Sequence, residues 1–172
     1  MALAALTAVG AGFLAIGLAA PESAFGTMSP LSLAHDQRAD TILAQAPHSP
    51  ADLARARAET WTALNLSPAD DAAWLRLAYI DRLSSGGLTA DGIKWLQRSY
   101  AVAPFGPQTS FWRVRFALEN WTALTPALRD AVTEEVRVQW PVRHDRYNEV
   151  FAALANPAGR LAGTMMAIRN SN

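Results

Sequence analysis

Apolar side chains recur at helical intervals along much of this chain. Phe111, Val114, Leu118 and Trp121 step by three and four residues, and so do Leu128, Val132, Val136 and Trp140. Such steps lay one apolar stripe along a helix, whereas a half-buried strand alternates at every second position. No convincing run of strands is present, so the pattern predicts an all-α fold.

Polar punctuation places the helix starts. Ser-Pro-Ala-Asp occurs at Ser49–Asp52 and again at Ser67–Asp70. A serine hydroxyl caps an orphan amide at a helix start, and proline suits the first position because its missing N–H is not needed there. Aspartate in the first turn complements the helix dipole. The two copies predict helices from Ser49 to about Leu64 and from Ser67 to about Leu83, the second stopped by Ser84–Gly87. Thr89-Ala90-Asp91 starts a third, ending before Pro104. Pro107 opens a fourth through Leu124. Thr125-Pro126 opens a fifth through Trp140, with Pro141 breaking it. A sixth covers Asp145–Ala155 and ends at Asn156-Pro157. A short amphipathic tail follows, with Leu161, Met165 and Ile168 on one stripe.

Helices of this length joined by short turns make antiparallel hairpins. Pro68 and Pro104, each just after a helix, lie 36 residues apart. A period of about 34 residues built from two helices marks a tetratricopeptide array. Trp74, Leu77 and Ala78 in "AWLRLAYID" sit at the spacing of the large, large and small positions of helix A in that family, with Asp81 where an aromatic is usual. Leu96, Ser99 and Pro104 match helix B, as do Ala56, Ala63 and Pro68 of the preceding segment, where Thr60 replaces a large apolar residue. The chain thus resembles a tetratricopeptide-like repeat protein, best over Ala51–Pro104 and poorly over Gln108–Trp140. A generic bundle of α-hairpins is the alternative. The resemblance implies a groove lined by Leu75, Tyr79 and Arg82, joined by Arg113 and Asn120 if Trp112 opens another helix A.

Trp-Thr-Ala-Leu also occurs twice, at Trp61–Leu64 and Trp121–Leu124. The copies lie 60 residues apart, which fits no multiple of the period. Each reads as a tryptophan packed under a hairpin corner. Of the six tryptophans, Trp74, Trp112, Trp121 and Trp140 fall on apolar faces and read as core, while Trp61 and Trp95 are open.

Charge divides the chain into zones. Residues 1–35 hold one charged side chain, Glu22, and all 15 basic residues lie from Arg38 onward. Ala2–Ala20 is free of charge and proline, and as a helix it would span roughly 28 Å, near a bilayer's hydrocarbon thickness. It reads as a membrane anchor or a cleaved signal peptide, although no Lys or Arg precedes it. Small residues at Ala8, Gly12, Ala15 and Ala19 would let another helix approach closely. Residues 21–36 read as a linker and 37–172 as the helical domain. The expected location is the bacterial inner membrane with the soluble part in the periplasm, or the periplasm after cleavage.

Equal numbers of basic and acidic residues, 15 each, argue against a nucleic-acid partner. No cysteine is present, which excludes disulfides and thiolate metal sites. His35, His48 and His144 lack the spacing of a helical metal site and read as surface histidines. Asp70-Asp71 and Glu134-Glu135 are adjacent pairs whose members diverge by about 100° on a helix. No nucleophile elbow or phosphate loop occurs. The expectation is a non-enzymatic, cofactor-free interaction scaffold of the cell envelope that binds a protein partner. The alternative is a small accessory subunit of a membrane complex, linked to exopolysaccharide synthesis or export. The latter rests on "WTALTPALRDAVTEEVRVQW", which is similar to segments of small bacterial envelope proteins of that kind.

Overall fold

The computed structural model describes residues 31–171; the apolar run Ala2–Ala20 and most of the linker lie outside them. The described residues form seven α-helices and one 3-10 turn, with no strand among them. The helices are α1 (Ser32–Ala44), α2 (Pro50–Leu66), α3 (Asp71–Ser85), α4 (Ala90–Val102), α5 (Ser110–Glu119), α6 (Pro126–Ala152) and α7 (Pro157–Ser171). None is long and apolar enough to cross a membrane.

Three of the seven starts follow the expected capping chemistry. The Ser49 hydroxyl accepts from the Asp52 amide and the Asp52 carboxylate accepts from the Ser49 amide, both at 3.1 Å, a reciprocal capping box. Thr89 and Thr125 cap α4 and α6 through their hydroxyls. The second Ser-Pro-Ala-Asp behaves differently. The Ser67 amide donates to the Ala63 carbonyl and finishes α2, and Asp70 is the residue that caps α3, accepting from Ala73 at 3.0 Å. Pro107 likewise precedes its helix rather than opening it, because α5 begins at Ser110.

Three further expectations are corrected. First, α1 begins at Ser32, inside the segment read as a linker. Its inward face carries Asp36 and Arg38 between Ala34 and Ala39, so no apolar stripe announced it. Second, the two Trp-Thr-Ala-Leu copies adopt different structures: Trp61–Leu64 lies within α2, and Trp121–Ala123 is the 3-10 turn after α5. Third, α6 runs through Pro141 without a break. An interior proline costs about 3 kcal/mol through a lost hydrogen bond and a clash with the preceding turn. Trp140, Tyr147 and Phe151 stack across that point, with ring centroids 6.4 and 6.0 Å apart in succession, and all three are buried. Burial of those rings on both sides of the proline offsets its cost.

Consecutive helices pack as antiparallel pairs. In α1 and α2, His35 meets Glu59 while Ile42 and Leu43 pack on Leu53. In α3 and α4, the Ser99 hydroxyl bonds the Asp71 carbonyl at one end. At the other, the buried Asp81 carboxylate accepts from the Thr89 amide and hydroxyl at 2.9 and 3.0 Å. A Cβ at Gly92 would collide with that carboxylate, so glycine is required there. Cross-contacts then set the neighbours. Arg76 of α3 binds Asp36 and Asp40 of α1, and Tyr79 of α3 meets Trp112 and Phe116 of α5. On the other side Trp61 of α2 meets Trp95 of α4, and Tyr100 of α4 bonds Glu135 of α6. Helices α1, α3 and α5 therefore lie side by side, and so do α2, α4 and α6. Helix α7 packs on α5 and α6.

The main core joins Leu75, Ala78 and Leu96 to Val114, Leu118, Val132, Val136 and Leu154. Alanines and Ser99 fill the tight helix crossings, since Ala56, Ala63, Ala78 and Ser99 are fully buried. A small side chain lets two helix axes approach without strain. Trp61, Trp74 and Trp95 form a separate edge-to-face cluster, with Arg98 over Trp74 and Arg57 over Trp95. Trp112 departs from the expected core role: it is 36% exposed, at the mouth of a cleft.

Candidate functional site

A cleft of about 390 Å³ opens between α3 and α5. Tyr79 and Arg82 stand one turn apart on α3. Trp112, Arg115, Phe116 and Glu119 step by three, one and three residues along α5, so they share one face of it. Asn120 closes the end. The Tyr79 ring lies edge-on to Trp112 and Phe116, with centroids 6.3 and 6.2 Å away. That geometry locks the apolar floor.

The polar wall has a defined orientation. The Arg82 Nε donates to the Asn120 Oδ1 at 3.0 Å, and the Asn120 Nδ2 donates to the Phe116 carbonyl at 2.7 Å. The Phe116 carbonyl thus sets the amide, and the amide holds the guanidinium. Glu119 turns away to other work, accepting from the Ala155 and Asn156 amides at 2.8 and 2.9 Å. Among the described residues neither Arg82 nor Arg115 makes an ion pair with a carboxylate.

Three residues expected to line a groove, Tyr79, Arg82 and Asn120, come together here. Two do not. Leu75 is fully buried among Ala78, Leu96 and Val114. Arg113 is also fully buried, because the residue after Trp112 points about 100° around the helix into the interior. Its Nη2 donates to the Glu135 Oε1 at 2.6 Å, and its Nη1 donates to the Ser99 and Ala103 carbonyls. Burial is the largest influence and lowers the Arg113 pKa, but the bonds and charge of Glu135 together with Tyr100 and Asp71 outweigh it and hold it above the usual arginine value. Burial and the Glu135 charge push Tyr100, which donates to the same carboxylate at 2.8 Å, well above an ordinary tyrosine. Arg113 is a structural pin. Trp112, Arg115, Phe116 and Glu119 are the residues that the groove assignment missed, although their spacing from Trp112 on one helix face was a usable signal.

A second cleft, about 330 Å³, continues on the other side of Trp112. Asp40, Ala72, Arg76, Gln108 and Thr109 line it with that tryptophan. Arg76 is nearly buried and clamped by Asp36 at 2.6 Å and Asp40 at 2.8 Å. Burial pushes the Asp36 carboxyl up, Arg76 pulls it down, and nearby Asp70 adds to the push.

The histidines take three positions. His35 is not a plain surface residue: its Nδ1 meets the Glu59 carboxylate at 2.6 Å, beside Arg38, which donates to the same oxygen at 3.0 Å. His48 is half-buried and His144 is exposed. No group of three metal-ligating side chains occurs among the described residues. Glu134 faces solvent with Arg137, whereas Glu135 is buried, so that adjacent pair diverges as its spacing implies.

No protein-family model, no curated protein and no solved structure matches this chain.

Proposed function

We propose that this chain is a non-enzymatic interaction scaffold. Its helix pairs form a short tetratricopeptide-like array, and the cleft between α3 and α5 holds an extended segment of a partner protein bearing a carboxylate. One observation carries the reading. Arg82 and Arg115 face a single cleft, without carboxylate partners among the described residues, beside the exposed Trp112 and the ring of Tyr79. Guanidinium forks and aromatic faces are what protein interfaces use as anchors. Side-by-side α1, α3 and α5 supply the kind of continuous surface that helical-pair arrays use for peptides. An envelope address rests on the sequence of Ala2–Ala20 alone.

The test is capture of the full-length, C-terminally tagged chain from its native membranes in mild detergent, with bound proteins identified by mass spectrometry. Tyr79→Ala with Arg82→Ala, and separately Arg82→Glu with Arg115→Glu, should each remove a partner that the unaltered chain retains. Lys94→Glu, on exposed α4 surface, serves as the control. Circular dichroism should be unchanged in all variants. Capture that survives both cleft variants would sink the groove assignment.

A further inference from the structure

The two clefts that meet at Trp112 differ in charge. On the α3–α5 side stand Arg82 and Arg115, with Glu119 committed to the backbone amides of Ala155 and Asn156. On the α1–α3 side a single guanidinium, Arg76, is shared by Asp36 and Asp40, and Asp70 stands within electrostatic reach of Asp36. Arg82 and Arg115 thus outnumber Glu119 in the first cleft, while at the second Arg76 is outnumbered by Asp36, behind the wall, and Asp40, the one carboxylate that lines it. Both Asp40 oxygens accept from Arg76, at 2.8 and 3.1 Å, yet the side chain is 63% exposed, so its outer lone pairs stay within reach of a ligand cation.

We infer that the groove recognises an ampholytic peptide segment: a carboxylate seated on Arg82 and Arg115, an aromatic or large apolar side chain on Trp112, and a cation beside Asp40. This rests on the proposed function and adds to it the chemistry and spacing of the partner segment. The spacing follows from α3. Ala72 and Arg76 line the cleft that holds Asp40, and Tyr79 and Arg82 the one that holds Arg115. At 1.5 Å per residue the two ends lie about 9–15 Å apart along the helix. An extended chain covers about 3.3 Å per residue, so the two charges belong three or four positions apart, with the apolar side chain between them. Charge complementarity of this kind sets register and excludes like-charged competitors.

The experiment uses fluorescence anisotropy with the full chain in detergent and two labelled probe peptides. One is the blocked pentapeptide Glu-Ser-Trp-Ser-Arg, the other its all-acidic counterpart Glu-Ser-Trp-Ser-Glu. The ampholytic peptide is expected to bind about three- to fivefold more tightly, the range of a partly exposed ion pair. In Asp40→Lys the preference should reverse. In Arg82→Glu with Arg115→Glu both peptides should weaken. Equal binding of the two peptides, both lost in the double arginine variant, would overturn the ampholytic register and leave the proposed groove standing. Binding of neither peptide at millimolar concentration, or binding untouched by the arginine variant, would overturn the register and the groove together. Circular dichroism of each variant shows that the fold is retained.

Discussion

At the scale of single residues, this protein spends several charged side chains in places where apolar ones are usual. Arg113 and Glu135 are both fully buried, and Arg113 lies over the Tyr100 ring at 4.1 Å from its centroid. A buried pair is rarely better than an apolar replacement, but removing Glu135 leaves the buried Arg113 charge with Asp71 alone, 3.6 Å from its Nη1, to offset it. Glu135→Gln is therefore expected to destabilise the fold by about 3–5 kcal/mol. The double replacement Arg113→Met with Glu135→Leu should destabilise less than Glu135→Gln alone. Urea midpoints of the three chains decide this. Arg76 with Asp36 and Asp81 with Thr89 follow the same economy, joining one element to the next through charge-assisted bonds. Nothing in composition distinguishes Arg113, buried, from Arg115, exposed two positions later. Their fates are set by the helices that α5 meets.

At the scale of elements, caps and breakers need context. The box at Ser49 and Asp52, and the threonine caps at Thr89 and Thr125, are local: donor and acceptor lie within three residues of each other, so sequence reveals them. Ser67-Pro68 carries the same letters as Ser49-Pro50, yet Ser67 terminates α2 because Asp70 caps α3 instead. Pro141 reads as a stop, but the aromatic stack Trp140, Tyr147 and Phe151 keeps the helix continuous across it. Pro141 itself is exposed. Pro141→Ala is expected to raise the thermal midpoint, because alanine restores the backbone donor and is the better helix former by about 3 kcal/mol. Far-ultraviolet ellipticity should barely change, since α6 is already helical through this point. A lower midpoint would mean that a kink at Pro141 is needed for α6 to pack.

At the scale of the whole molecule, α7 closes the row of helices begun by α1, α3 and α5. It comes close enough that a Cβ on Gly159 would fall on the Leu118 carbonyl oxygen, and Gly163 packs directly on the Phe151 ring. Glu119 ties the turn before α7 to the end of α5, so the α3–α5 cleft borders the segment that holds α7 in place. Gly159→Val should lift α7 off α5. Hydrogen exchange is expected to quicken in α7 and at the end of α5, while α1 and α2, which do not pack on α7, keep their protection. Uniform loss of protection through all seven helices would instead mean that the chain unfolds as one cooperative unit. Either way, Leu161, Met165 and Ile168 form a stripe that α7 leaves exposed, because its glycine face is the one turned inward.

The sequence by itself determined the all-α class and the helix starts at Ser49, Thr89 and Thr125. Those follow from bonds and periodicities within a few positions, such as Ser49 with Asp52 or Val132 with Val136. It also pointed to Tyr79, Arg82 and Asn120, which the structure brings into one cleft. Only tertiary structure decided that α1 is a helix with a charged inward face, that Pro141 lies inside α6, and that Leu75 and Arg113 are buried rather than presented. It likewise decided that Trp112 stands between two clefts, one lined by Arg82 and Arg115 and the other by the Asp40–Arg76 pair. The reason is physical. Local signals report what a segment can bond to within itself, whereas burial, ion pairing and exposure depend on which side chains of distant segments arrive beside it.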